Sequence, residues 1–131
     1  MNTVVCGDKD LIPSNKTIVM GVVNVTPDSF SDGGLYHTTD RAIAHGLQLV
    51  ADGADILDVG GVATSTYARA KTTVSADEEL DRVIPVILGL RKDGLTALSV
   101  DTKRASVAKA ALDAGASWVN DQSAALFDAD M

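Results

Sequence analysis

Four short apolar runs, Thr17 to Val25, Asp55 to Val59, Ala97 to Val100 and Ser117 to Val119, recur along the chain with longer, helix-patterned segments between them. Each is of strand length and rich in Val, Ile, Leu and Ala, the composition of a strand buried on both faces. Neighbouring parallel strands need a crossover of a dozen or more residues, which each of the intervening segments supplies. The order β-α-β-α-β-α-β admits two architectures: the first half of a (β/α)8 barrel, or part of an open doubly wound sheet. A doubly wound dinucleotide site carries G-x-G-x-x-G at the start of a helix, and Gly60-Gly61 is followed by no such arrangement. The half barrel is the better reading.

The intervening segments carry helix punctuation. Thr38 or Thr39 can cap the first helix, with Asp40 in its first turn, and Ala42, Ile43, Gly46, Leu47, Leu49 and Val50 recur at helical spacing before Asp52-Gly53. Ser75 and Glu78 form a capping-box pattern ahead of Leu80, Val83, Ile84, Ile87, Leu88 and Leu90. Pro85 lies inside that second helix and is expected to kink or break it. The third helix is expected over 103–113, with Val107, Ala108, Ala111 and Leu112 buried and Gly115 as its stop. Ahead of the repeat, Thr3 to Cys6 reads as a short strand closed by Gly7-Asp8, a plug or hairpin at the barrel bottom without chemistry of its own.

Composition narrows the function. The 131 residues are one domain at most, against about 250 for a complete barrel. A net charge of −7 with no basic stripe argues against a nucleic-acid backbone as partner. Cys6 is the lone cysteine, so neither an intrachain disulfide nor a cysteine metal cluster can form. No apolar run reaches the ~18 residues of a membrane span and no signal-peptide pattern opens the chain, so a cytoplasmic protein is expected.

The strand ends carry the chemistry. Asn24, Asp58, Asp101 and Asn120 stand at the ends of the four successive apolar runs, and in a parallel barrel all four project to one face. Amide donors and carboxylate acceptors gathered there suit a flat heterocycle rich in N–H and C=O groups, and a carboxylate pairs well with a guanidine-like ring edge. Asp28 and Asp32, in the loop after the first strand, serve equally as turn formers or as ligand groups. His37 and His45 read as surface or helix residues, and nothing resembles a paired-histidine metal site.

The stretch Asn-Val-Thr-Pro-Asp-Ser-Phe-Ser-Asp-Gly-Gly, Asn24 to Gly34, resembles the signature of the dihydropteroate synthases. The resemblance runs from about Thr17 to Met131 and covers the first half of that family's barrel, so 1–131 is expected to be a partial pterin-binding domain holding strands one to four. It implies that Asn24 coordinates a magnesium ion on the substrate diphosphate. Asp101 in Ser-Val-Asp-Thr and Asn120 in Val-Asn-Asp would bind the pterin, with Asp58 in Asp-Val-Gly-Gly on the pocket floor. The implied reaction is displacement of pyrophosphate from 6-hydroxymethyl-7,8-dihydropterin diphosphate by the amine of p-aminobenzoate, in a family that works as homodimers.

One loop departs from the family. After Gly60-Gly61 the family usually reads Glu-Ser-Thr-Arg-Pro-Gly-Ala, whereas here Val62-Ala63-Thr64-Ser65-Thr66-Tyr67-Ala68-Arg69-Ala70 follows. Without gaps, Thr64 takes the place of the anion-binding threonine and Ser65 that of the arginine; with a gap, Thr66 and Arg69 do. The family's later strands supply a further aspartate, a lysine and an arginine/histidine anion site, so these 131 residues alone are expected to be marginally stable, self-associating or inactive. Two other readings are a pterin-binding paralogue without turnover and the methyltetrahydrofolate-binding domain of corrinoid methyltransferases. The Thr-Pro-Asp-Ser-Phe-Ser-Asp-Gly-Gly loop argues against the second of these.

Overall fold

Strands β3 (Met20–Asn24), β4 (Ile56–Gly60), β5 (Leu98–Asp101) and β6 (Trp118–Asn120) lie side by side in that order, every pair parallel. The structure is a computed structural model that describes residues 4–10, 16–26, 34–62, 74–95 and 97–131. Neighbours in space are neighbours in sequence across the whole sheet, so the winding never reverses as a doubly wound sheet requires.

The helices settle the architecture. α1 (Gly34–Ala51), α2 (Ala76–Lys92) and α3 (Ala105–Asp113) follow β3, β4 and β5 and share one core with a single face of the sheet. Alternate strand residues face them: Val23 and Val25, Leu57 and Val59, Leu98 and Val100 are all essentially inaccessible to solvent. Ala42, Val83, Val86, Ile87, Leu90 and Ala111 close over these side chains from the helices. One-sided cover and sequential order are the wall of a (β/α)8 barrel, of which the described strands form the first half. No described helix is long and apolar enough to cross a membrane.

The other face is the barrel interior, and its lower end is plugged. β1 (Val5–Cys6) and β2 (Lys9–Asp10) form an antiparallel hairpin, turned through Gly7 at a φ of 64°, which favours glycine. Cys6 is fully buried against Ile56 and Ala97, with Ile18 and Trp118 packed around them. The indole Nε1 of Trp118 donates to the Val5 carbonyl at 2.7 Å. Nearby, Asp55 accepts from Lys16 Nζ at 2.8 Å and from the Val19 amide at 3.0 Å, and these two contacts hold its carboxyl below the usual carboxylate range. The expected plug is present.

Several local expectations shift. α1 begins at Gly34 rather than after a cap at Thr38 or Thr39, so both threonines lie inside it, Thr39 buried, and Asp40 falls beyond the first turn. Gly34, a residue type that ordinarily marks a turn, is here the first residue of the helix. α2 runs unbroken through Pro85. The proline ring sits on the exposed face, where water reaches the Asp81 carbonyl that loses its partner. The buried stripe of α2 is Glu79, Val83, Val86, Ile87 and Leu90, so Leu88, expected inside, is exposed, as are Leu47 and Leu112. A buried acid at Glu79 removes one apolar marker from the periodic pattern, which shifts the apparent stripe toward Leu80, Ile84 and Leu88.

The capping box forms as expected. Ser75 Oγ accepts from the Glu78 amide at 3.1 Å, and Glu78 Oε2 accepts from the Ser75 amide at 2.9 Å. Ser75→Ala is expected to cost about 1 kcal/mol, measured as a fall in the urea midpoint at constant slope, with Ser75→Asp retaining most of the stability.

Candidate functional site

The parallel register places three of the expected residues on one level. Asn24 pairs with Gly60, Gly60 with Asp101, and Asp101 with Asn120, so the last residues of four strands form a row across the upper end of the interior face. Gly60 is the member without a side chain. A Cβ there would stand 3.3 Å from the Asp101 Cβ, so the glycine keeps the space between Asn24 and Asp101 open.

Asp58 corrects the expectation of four equivalent strand ends. It lies two residues before the end of β4, in register with Val22 and Ser99, and Ser99 in turn with Trp118, one layer down. Only 4% of its surface is exposed. Its Oδ2 accepts from Asn120 Nδ2 at 2.8 Å, a bond that spans from β4 to β6 across the intervening β5. Its Oδ1 is buried with no partner among the described residues, and so is the hydroxyl of Ser99 on the adjacent strand. Leaving a buried polar atom unsatisfied costs about 1–3 kcal/mol, so two such atoms on one face mark a place where hydrogen-bonding groups are wanting.

Above this floor, Asp101 is half-buried. Burial pushes its carboxyl above the ordinary value, and the neighbouring charge of Asp58 pushes it further. Gln122 opposes the shift by donating from Nε2 to Asp101 Oδ2 at 2.8 Å. Glu79 and Asp121 add smaller upward pushes. Sequence reasoning missed Gln122, which lies just beyond β6 where composition carries no marker. Asp121 has a different role: its carboxylate accepts from Ser123 N and Oγ and from Ala125 N, closing the turn after β6, and those bonds hold its own carboxyl low.

Behind Asp101 stands a second polar cluster that the sequence did not announce. Glu79, 1% exposed, accepts from the Thr102 hydroxyl at 2.6 Å and is ion-paired with Arg104 Nη1. Arg104 Nη2 donates to the Val74 carbonyl at 2.7 Å, and Arg82 Nη1 donates to the Gly61 carbonyl at 2.9 Å. In the sequence, Glu79 follows Asp77 and Glu78 and looks like part of a solvated acidic first turn.

The remaining candidates sit apart or outside. Asn24 is exposed at the rim, and no three His, Cys, Asp or Glu among the described residues gather as a metal site. His45 is exposed on α1, and His37 lies in that helix's first turn. Asp28, Asp32, Thr64, Ser65, Thr66 and Arg69 fall outside the described residues, so the loop alternatives are not distinguished by structure.

Comparison with known proteins bears directly on this site. The family described as pterin binding enzyme matches residues 20–131, the whole of the parallel unit. The dihydropteroate synthase of Bacillus subtilis is 53% identical over 106 residues, covering 81% of this chain and 36% of the relative. That of Streptococcus pyogenes serotype M1 is 47% identical over 123 residues, covering 94% of this chain and 45% of the relative. Among solved structures, Xanthomonas albilineans dihydropteroate synthase with 4-aminobenzoic acid superposes with a TM-score of 0.81 at 46% identity, covering 98% of this chain and 46% of that one. The same bacterial enzyme with 7,8-dihydropteroate gives a TM-score of 0.68 at 49% identity, covering 86% and 39%. The chain therefore spans less than half the length of these relatives. With the family match extending over every strand that contributes to the polar row, the chain belongs to the pterin binding enzymes.

Proposed function

We propose that this chain forms the pterin-holding half of a cytoplasmic dihydropteroate synthase, joining 6-hydroxymethyl-7,8-dihydropterin diphosphate to p-aminobenzoate with release of pyrophosphate. The observation that carries the reading is the stacked polar pair of layers: Asn24, Asp101 and Asn120 in register, with the unpartnered Asp58 Oδ1 beneath them. A pterin offers a guanidine-like edge of N–H donors to carboxylates and a carbonyl to the amide group, which answers this donor and acceptor set. Asp101 and Asn120 hold the ring, Asp58 meets its inner edge, and Thr64 takes an anionic group of the substrate.

The residues fit magnesium in a limited sense. Asn24 offers one neutral oxygen at the rim, enough for a cation that keeps several waters and draws its other ligands from substrate phosphates. When bound there, magnesium supplies charge neutralisation to the departing diphosphate. The chain's own contribution is orientation. Gripped by the floor and by Asp101, the pterin presents its methylene to the amine; the methylene C–O bond breaks, a C–N bond forms, and the amine loses a proton. No side-chain nucleophile is required, and fixed geometry supplies the rate advantage.

Asp101 should trade stability for binding. Its folded-state carboxyl is raised above the unfolded value, so the proton is held more tightly in the folded chain. The stability it contributes is present below the ordinary carboxylate range and is lost as pH rises through the raised value. Asp101→Asn is accordingly expected to raise the Tm at neutral pH, with the advantage vanishing below about pH 3, while removing pterin affinity. Calorimetry across that pH range checks the sign.

The function is tested by joining residues 1–131 to the remaining barrel of the Bacillus subtilis relative. Turnover of the dihydropterin diphosphate with p-aminobenzoate is expected, falling at least ~100-fold in Asp101→Ala and losing its magnesium dependence in Asn24→Ala. A folded, pterin-binding product without turnover would instead mark a binding paralogue, and one that ignores pterin would refute the assignment.

A further inference from the structure

We propose that Glu79, Thr102 and Arg104 act together as positioning residues that aim the Asp101 carboxylate into the site; the inference rests on the pterin-site reading for what Asp101 holds, and on geometry for the rest. Asp101 and Thr102 are consecutive and point to opposite sides of the strand. Asp101 faces the interior, whereas Thr102, 2% exposed, faces the helix layer. Whatever fixes the Thr102 side chain on the helix side thereby fixes the direction in which Asp101 leaves the backbone.

Thr102 is held from three directions. Its hydroxyl donates to Glu79 Oε1 at 2.6 Å, a charge-assisted bond. The same hydroxyl accepts from the Arg104 amide at 3.2 Å. Its own amide donates to the Asn120 carbonyl at 3.1 Å, which ties it to β6. Arg104 then bridges Glu79 to the Val74 carbonyl, so the approach to α2 and the exit of β5 move as one body.

Glu79 reaches the exit of β4 as well. A Cβ on Gly61 would lie 3.0 Å from Val83 Cγ2, 3.2 Å from Glu79 Cγ and 3.3 Å from the Glu79 carbonyl oxygen, so the β4 exit presses directly on this residue. One buried residue thus touches the exits of the two strands that carry Asp58 and Asp101. A buried ion pair is a poor source of net stability, because desolvation consumes most of the attraction, and an apolar pair of the same volume would serve packing as well. Hydrogen-bond direction is what an apolar pair cannot supply. Among the described residues, Asp58 on β4, Gln122 and Asp121 beyond β6, and Glu79 on α2 are the groups that act on Asp101.

Thr102→Val removes the hydroxyl while keeping the shape. In the 131-residue chain it is expected to lower the Tm by about 4–10 °C, because Glu79 Oε1 loses a donor, to shift the NMR signals of the Asp101 carboxyl and the Gln122 carboxamide, and to leave Asp55, at the opposite end of the barrel, in place. In the joined barrel described above it is expected to weaken dihydropterin diphosphate binding about tenfold, and to add nothing to the loss in Asp101→Ala, because residues that act through one another are not additive. Arg104→Lys keeps a charge beside Glu79 but lacks the fork that also reaches Val74, and is expected to lose affinity in the same non-additive way. Losses that add to that of Asp101→Ala, or an Asp101 signal that stays fixed in Thr102→Val, overturn the proposal. Should the unsubstituted joined barrel ignore pterin, the site reading fails on its own account, and the carboxyl signals in the chain still decide whether Thr102 positions Asp101.

Discussion

Everything at the upper end of this molecule depends on in-register parallel pairing. Parallel strands with right-handed helical returns all point the same way, so their carboxyl ends emerge together, and the register decides which residues share a level. Here the register puts Asn24, Gly60, Asp101 and Asn120 side by side. A slip of one residue in any pair would exchange that strand's polar residues with the valines and leucines of the helix-facing core. The apolar core therefore guards the polar row. Val23 and Val25, Leu57 and Val59, Leu98 and Val100 cannot turn inward without forfeiting about 1.5–3 kcal/mol each, and that penalty holds the carboxylates and carboxamides where they are.

Acidic groups concentrated at one end set the electrostatic character of the site. Asp58, Asp101, Glu79 and Asp121 all act within this region, and the chain meets their mutual repulsion in different ways. Glu79 takes an arginine and a hydroxyl, Asp121 takes amides and a hydroxyl from its own turn, and Asp58 takes one carboxamide. Burial and the Asp58 charge push the Asp101 carboxyl up, and the single carboxamide of Gln122 does not offset them. This raised acid faces the interior beside the open position at Gly60. Acids of this kind cost stability in the free chain, and any ligand that donated to them would restore it.

The repeat of apolar runs made the architecture readable before any coordinates, because strand length, helix length and the apolar alternation all pointed the same way. The order of the strands and the one-sided helices followed that reading. What escaped it were residues whose role depends on three-dimensional neighbours. Asp58 looked like a strand end because Gly60-Gly61 looked like a turn, yet Gly60 still pairs with Asn24 and Asp101. Glu79 sits in an acidic helix start that normally belongs to solvent, and only the approach of Thr102 and Arg104 gives it partners. Leu88 and Leu112 matched the helical period but fall outside the buried stripes once the true faces of α2 and α3 are set by their neighbours. Pattern reports which residues can be buried; packing decides which of them are.

The hairpin beneath the barrel carries a consequence for how the molecule assembles. Trp118 in the last described strand donates to the carbonyl of Val5, a contact across 113 positions of sequence. Val5 is synthesised well before Trp118, so this hydrogen bond waits until the segment through β6 has been made. Contacts of such high separation are slow to form, because the chain between them must already be ordered before they reward closure. The lone tryptophan of this sequence is thus a reporter of hairpin docking: its indole gains the Val5 carbonyl when the hairpin reaches β6.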